Sequence, residues 1–105
     1  MKQPILFLNF KTYEQATGKK GLELAKKAES AAKEKEKNVV LVVQAADIRL
    51  IKENCSLPVF AQHLDAVKYG SNTGWILGEA IKEAGASGTI LNHAEHKISN
   101  EEIQK

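Results

Sequence analysis

The side chains able to do chemistry in this chain sit at the ends of its apolar runs. Gly88-Thr-Ile-Leu-Asn-His-Ala-Glu95 opens on a glycine break with aliphatic and β-branched residues and closes on polar groups. A period of two places Thr89, Leu91, His93 and Glu95 on one face, with Ile90, Asn92 and Ala94 on the other, so an imidazole and a carboxylate leave one strand end together. Two earlier runs finish alike: Ile5, Phe7, Asn9 and Lys11 share a face, as do Val59, Ala61, His63 and Asp65. Gathered at one rim, these groups offer a ligand hydrogen-bond donors, a fixed cation and carboxylates. Taken singly, each has an ordinary role: a strand-end lysine reaches for water, an asparagine caps a turn, and a histidine closes a strand. His63, Asp65, His93, Glu95 and His96 are also ligand types for zinc or manganese, which makes a metal-dependent barrel hydrolase a rival reading.

The elements that must position these groups are legible in the pattern. Pro4-Ile-Leu-Phe-Leu-Asn-Phe-Lys11 is near-continuously apolar and predicts a strand buried on both faces. Thr17 and Gly18 break it, after which Leu22, Ala25, Ala28 and Ala32 form the apolar stripe of a helix whose other face is charged. Val39-Val-Leu-Val-Val43 predicts a second strand, followed at once by Gln44 and a short helix from about residue 47 to 54. A third strand spans 58–63, opened by a proline that needs no ladder N–H there. Tyr69-Gly-Ser-Asn-Thr-Gly74 is rich in turn formers and offers Asn72 or Thr73 as a helix cap. Ile76, Leu77, Ala80, Ile81 and Ala84 keep helical spacing, and Gly85 stands where a left-handed stop is expected. After the fourth strand, Ser99-Asn-Glu-Glu102 is a capping box that announces one more helix before Lys105.

Strand and helix thus alternate, which predicts an α/β fold of parallel (β/α) units whose strand ends share one rim. In such sheets ligands gather at the carboxyl ends of the strands, where Asn9, Lys11, Gln44, His63, Asp65, His93 and Glu95 all fall. No glycine-rich phosphate fingerprint follows the first strand, so a dinucleotide fold has little support. A chain of 105 residues is one domain at most and falls short of the roughly 200–250 residues of a closed barrel. Its formal charge of +2 is small and interspersed, which argues against nucleic acid and anionic membranes as partners. Lys26, Lys27, Lys33, Lys35 and Lys37 lie among Glu23, Glu29, Glu34 and Glu36, the pattern of a solvated helix face. The sequence contains no leader pattern and no apolar run near the roughly 20 residues of a membrane span. The single cysteine, Cys55, has no internal partner; a reducing, cytoplasmic setting is the expectation.

Four segments carry a resemblance. Asn9-Phe-Lys-Thr-Tyr13, Phe60-Ala-Gln-His-Leu-Asp65, Gly70-Ser-Asn-Thr-Gly74 and Lys82-Glu-Ala-Gly-Ala-Ser-Gly-Thr-Ile-Leu-Asn-His-Ala-Glu95 keep order and spacing. Together they resemble the triosephosphate isomerases in their shorter, archaeal-type form, from about residue 4 to 99. The resemblance covers the amino-terminal half of such an enzyme: residues 1–105 correspond to about four of the eight β/α units of a TIM barrel, the last helix truncated.

That resemblance implies interconversion of dihydroxyacetone phosphate and glyceraldehyde 3-phosphate through an enediolate, with no metal or organic cofactor. Asn9 and Lys11 match the substrate-binding pair, Lys11 also counting as catalytic because its cation offsets the phosphate and enediolate charge. His93 matches the electrophile, a neutral imidazole; this family is itself the standard example of an imidazole kept uncharged by a helix N-terminus. Glu95 matches a supporting carboxylate that holds Lys11 by charge. Thr73 matches the loop residue that reaches a neighbouring subunit, so a homo-oligomer is implied. Ala94 stands where serine is usual, Lys97 where arginine is common and Val43 where proline often closes the second strand, departures that touch none of the matched catalytic positions. The family's general base is a glutamate after the sixth strand, and its phosphate loops follow strands six to eight. Nothing in these 105 residues matches them, so the chain alone is expected to be inactive and to need a complementary carboxyl-terminal half or a second copy. A non-catalytic half-barrel that pairs with a partner half is the alternative. Without closure, the outer sides of the first and fourth strands are expected to be unpaired and the barrel-interior face open.

Overall fold

The structure is a computed structural model that describes residues 4–90. Strands and helices alternate as the pattern predicts: β1 (Ile5–Asn9), α1 (Gly18–Glu34), β2 (Asn38–Val43), α2 (Ile48–Asn54), β3 (Val59–Ala61), α3 (Gly78–Ala84) and β4 (Gly88–Thr89). Single 3-10 turns at Glu14–Ala16 and Ala45–Asp47 lead into α1 and α2. The strands form one sheet in the order β1-β2-β3-β4, and every pairing is parallel. The register sets Asn9 opposite Val42, Val42 opposite Phe60, and Phe60 opposite Gly88.

That register divides the sheet into two faces. Leu41, Val43, Val59 and Ala61 pack with Ala25 of α1, Ile48 and Ile51 of α2 and Ile81 of α3 into the core. Alternation explains the split, since these strand residues share one parity and the helices cover only that side. The stripe of α1 is rotated slightly from expectation: Gly21, Ala25 and Ala32 are buried, while Leu22 and Ala28 are half-buried. Gly21 is required where α1 crosses the preceding turn, because a Cβ there would meet the Ala16 carbonyl oxygen at 2.7 Å. The opposite parity brings Phe7 and Phe60 together, their ring centroids 5.6 Å apart and tilted by 59°.

Three expectations need correction. β1 is not buried on both faces: Ile5, Leu6 and Phe7 are 54–55% exposed and Leu8 39%. It is an edge strand, and among the described residues nothing pairs with its outer side. The third strand ends at Ala61 rather than at residue 63, although the Gln62 N–H still donates to the Val43 carbonyl at 3.2 Å. Neither Asn72 nor Thr73 caps α3, which begins at Gly78 after Leu77 with no side-chain cap. The Asn72 amide instead donates back to the Lys68 carbonyl at 2.5 Å, folding the loop on itself. The short helix expected from about residue 47 is α2, and Asp47 just before it accepts a hydrogen bond from the Gly18 N–H at 3.0 Å.

Gly85 does terminate α3 in the left-handed region, at φ 117°, its N–H donating to the carbonyls of Ile81 and Lys82. The capping box at residues 99–102 lies outside the described residues. Among the described residues no helix is long and apolar enough to cross a membrane.

Candidate functional site

The rim at the carboxyl ends of the strands is assembled from the first loop inward. Phe10 is buried in the core, and its N–H continues the ladder to the Val42 carbonyl at 2.8 Å. The next residue turns sharply. Lys11 has φ 50°, in the left-handed region, so the alternation that sets Asn9 on one face does not carry on to Lys11. What joins them is a hydrogen bond: the Lys11 N–H donates to Asn9 Oδ1 at 2.9 Å. Since Oδ1 accepts from the backbone, Nδ2 is the Asn9 atom left to donate to a ligand. Lys11 itself lies exposed at the rim.

Gln62, to which no role was assigned from the sequence, completes this corner. Its Nε2 donates to the Lys11 carbonyl at 2.8 Å and lies 3.5 Å from Asn9 Oδ1. The signal that could have found it is parity: Gln62 follows Phe60 by two, and Phe60 shares a face with Asn9 through the register. Gln44 serves the far end of the same loop. Its Nε2 donates to Thr17 Oγ1 at 2.9 Å, and that hydroxyl donates to the Tyr13 carbonyl at 2.7 Å.

His63 and Asp65 are drawn together, Nε2 to Oδ1 at 2.8 Å, with side chains only 12% and 15% exposed. The other carboxylate oxygen of Asp65 accepts from the Ile76 N–H at 2.7 Å. This closes the loop 66–75, on which Thr73 is exposed. At the fourth strand the Ile90 N–H donates to the Ala61 carbonyl at 3.1 Å, bringing the chain to the rim. His93, Glu95 and His96 lie outside the described residues. Of the expected site, then, the structure brings Asn9 and Lys11 together and adds Gln62.

Among the described residues no group of three or more His, Cys, Asp and Glu side chains is placed to hold a metal ion. Cys55 is buried, and burial pushes its thiol above the ordinary value.

A sequence profile of the family described as triosephosphate isomerase matches residues 4–105. The chain belongs to the triosephosphate isomerase family. It is 43% identical to the triosephosphate isomerase of Methanothermus fervidus, an alignment covering 100% of this chain and 47% of that protein. Against the enzyme of Sulfurisphaera tokodaii it is 44% identical, covering 100% and 46%. Against that of Methanobacterium bryantii it is 47% identical, covering 95% and 44%. The crystal structure of triosephosphate isomerase from Bartonella henselae shares the fold with a TM-score of 0.75 at 22% identity, covering 90% of this chain and 38% of that one. The parallel sheet is therefore part of a TIM barrel, and the chain spans about half the length of the triosephosphate isomerases it matches.

Proposed function

We propose that this chain supplies the substrate-binding rim of a triosephosphate isomerase, interconverting dihydroxyacetone phosphate and glyceraldehyde 3-phosphate through an enediolate. The observation that carries this reading is the Asn9–Lys11 corner at the carboxyl rim of the sheet, where the Lys11 backbone N–H donates to Asn9 Oδ1 at 2.9 Å. The Asn9 Nδ2 donates to a substrate oxygen, and the Lys11 ammonium offsets the charge of the phosphate and of the developing enediolate. His93 acts as the neutral electrophile that polarises the substrate carbonyls, with Glu95 supporting Lys11. No metal or organic cofactor takes part.

Residues 1–105 act as the amino-terminal half of the barrel, four β/α units of eight. Proton abstraction falls to a glutamate of the complementary half, which also brings the phosphate loops, so this chain is inactive alone. The loop bearing Thr73 contacts a neighbouring subunit in the assembled, cytoplasmic oligomer.

The test is complementation. The chain is mixed with the carboxyl-terminal half of the Methanothermus fervidus enzyme and isomerisation is followed in both directions. Neither half is expected to turn over substrate, the mixture is, and Lys11→Met in the mixture is expected to lose about 10²–10³-fold in kcat/KM. A stable complex with no turnover would overturn the assignment, and turnover by the 105-residue chain alone would refute its inactivity.

A further inference from the structure

We propose that Gln62 is a positioning residue of this rim: its side-chain amide holds the Lys11 backbone in the left-handed conformation that aims the lysine. The proposal rests on the isomerase reading for its catalytic consequence and on geometry alone for its structural one.

A lysine at φ 50° occupies a conformation that L side chains rarely adopt, and something must hold it there. The two peptide groups flanking Lys11 are each pinned. The preceding one donates its N–H to Asn9 Oδ1 at 2.9 Å, and the following one accepts from Gln62 Nε2 at 2.8 Å. Orienting the planes on both sides of a Cα sets φ and ψ together. The clamps form one unit, because Gln62 Nε2 also lies 3.5 Å from Asn9 Oδ1.

The reach is made possible by the sheet. β3 is two strands from β1, and Gln62 continues the face of Phe60, which the register aligns with Val42 and Asn9. An amide at Gln62 spans that distance just beyond the strand ends and delivers hydrogens to oxygen acceptors. A carboxylate of equal size would face the Lys11 carbonyl with an acceptor, and a thioether would bring no donor. Phe10 needs no such help, being buried and bonded to Val42. The far end of the loop is held separately by Gln44 through Thr17 at 2.9 Å. Gln62 therefore controls the one residue whose Cα–Cβ direction decides where the ammonium can go.

The experiment compares the full 105-residue chain with Q62E and Q62M by NMR and repeats the comparison in the complemented enzyme. Positive φ brings the amide and α protons of a residue unusually close, so wild-type Lys11 is expected to show a strong intraresidue HN–Hα cross-peak. Both variants are expected to lose it while the Phe10 amide keeps its strand shift, and kcat/KM of the complemented variants is expected to fall about 10²-fold, as a misplaced catalytic group does. If Q62M does not fold, Q62E decides, since it keeps the size of the side chain and replaces the donor with a charged acceptor. A wild-type chain without the cross-peak, a folded Q62E that retains it, or one that loses it at unchanged kcat/KM would each overturn the proposal. An inactive wild-type mixture would sink the isomerase reading instead and leave the cross-peak to decide whether Gln62 holds Lys11.

Discussion

Asp65 and Ile76 are joined twice: the Asp65 N–H donates to the Ile76 carbonyl at 2.8 Å, and the Ile76 N–H donates to Asp65 Oδ2 at 2.7 Å. One aspartate thus closes the ten-residue loop 66–75 with its backbone and side chain together, while its second oxygen holds His63 at 2.8 Å. Hydrogen bonds to an ionised acceptor are the stronger kind. Asp65→Ala is expected to lower stability by about 1.5–3 kcal/mol, read from urea midpoints. It should also speed tryptic cleavage after Lys68, which the closed loop carries. Unchanged cleavage would show that the backbone pair alone keeps the loop shut.

The acid limb of stability should depend on Glu29. Its carboxylate accepts from the Ser56 hydroxyl and from the Ser56 N–H at 2.6 Å, and these bonds hold its pKa below the ordinary 4.5. A depressed carboxyl contributes stability that is present above its unfolded value and is lost as pH falls through the folded one. Between about pH 5 and pH 3 the urea midpoint of the wild type should therefore fall more steeply than that of Glu29→Gln. Parallel curves would show that the bonds to Ser56 do not couple to folding.

Gly85→Ala should destabilise the chain by about 1–2 kcal/mol, because φ 117° is a conformation L residues avoid. An added Cβ would also meet Lys52 Cγ at 2.6 Å, so the α2–α3 contact has to shift. Differential scanning calorimetry reads the effect directly; an unchanged Tm would mean that the end of α3 adjusts without strain.

The edge strand predicts association. Ile5, Leu6, Phe7 and Leu8 lie exposed in a row, and Leu6, Phe7 and Leu8 border a cavity of about 300 Å³ with Ala28, Ala31 and Ala32 of α1. Such an edge recruits another chain, so sedimentation velocity should show self-association that rises with concentration and weakens in Leu6→Lys. A concentration-independent monomer would count against it.

Much of this was legible before any coordinates. The alternation of apolar runs with helical stripes determined the order of elements and their parallel pairing, because side-chain periodicity and turn residues act over a few neighbours. Gly85 was readable as a helix stop for the same reason, and Asn9, Lys11 and Thr73 stood out through motifs held in order. Burial of β1 was not readable. Ile5 to Leu8 are apolar in either case, and whether they are covered depends on whether another strand or helix packs against them, which neighbours in sequence do not decide.

The site shows the same division. By itself the sequence placed an amide and an ammonium near one strand end, yet alternation gave them a shared face that the left-handed turn at Lys11 removes. Only the tertiary structure, through the stagger of three parallel strands, decided that Gln62 reaches Lys11 from fifty-one residues away while His63 next to it turns to Asp65. Local spacing determines which way a strand residue points; which distant backbone oxygen lies within about 3 Å of it is set by how whole strands are registered, and that is a property of the packed sheet.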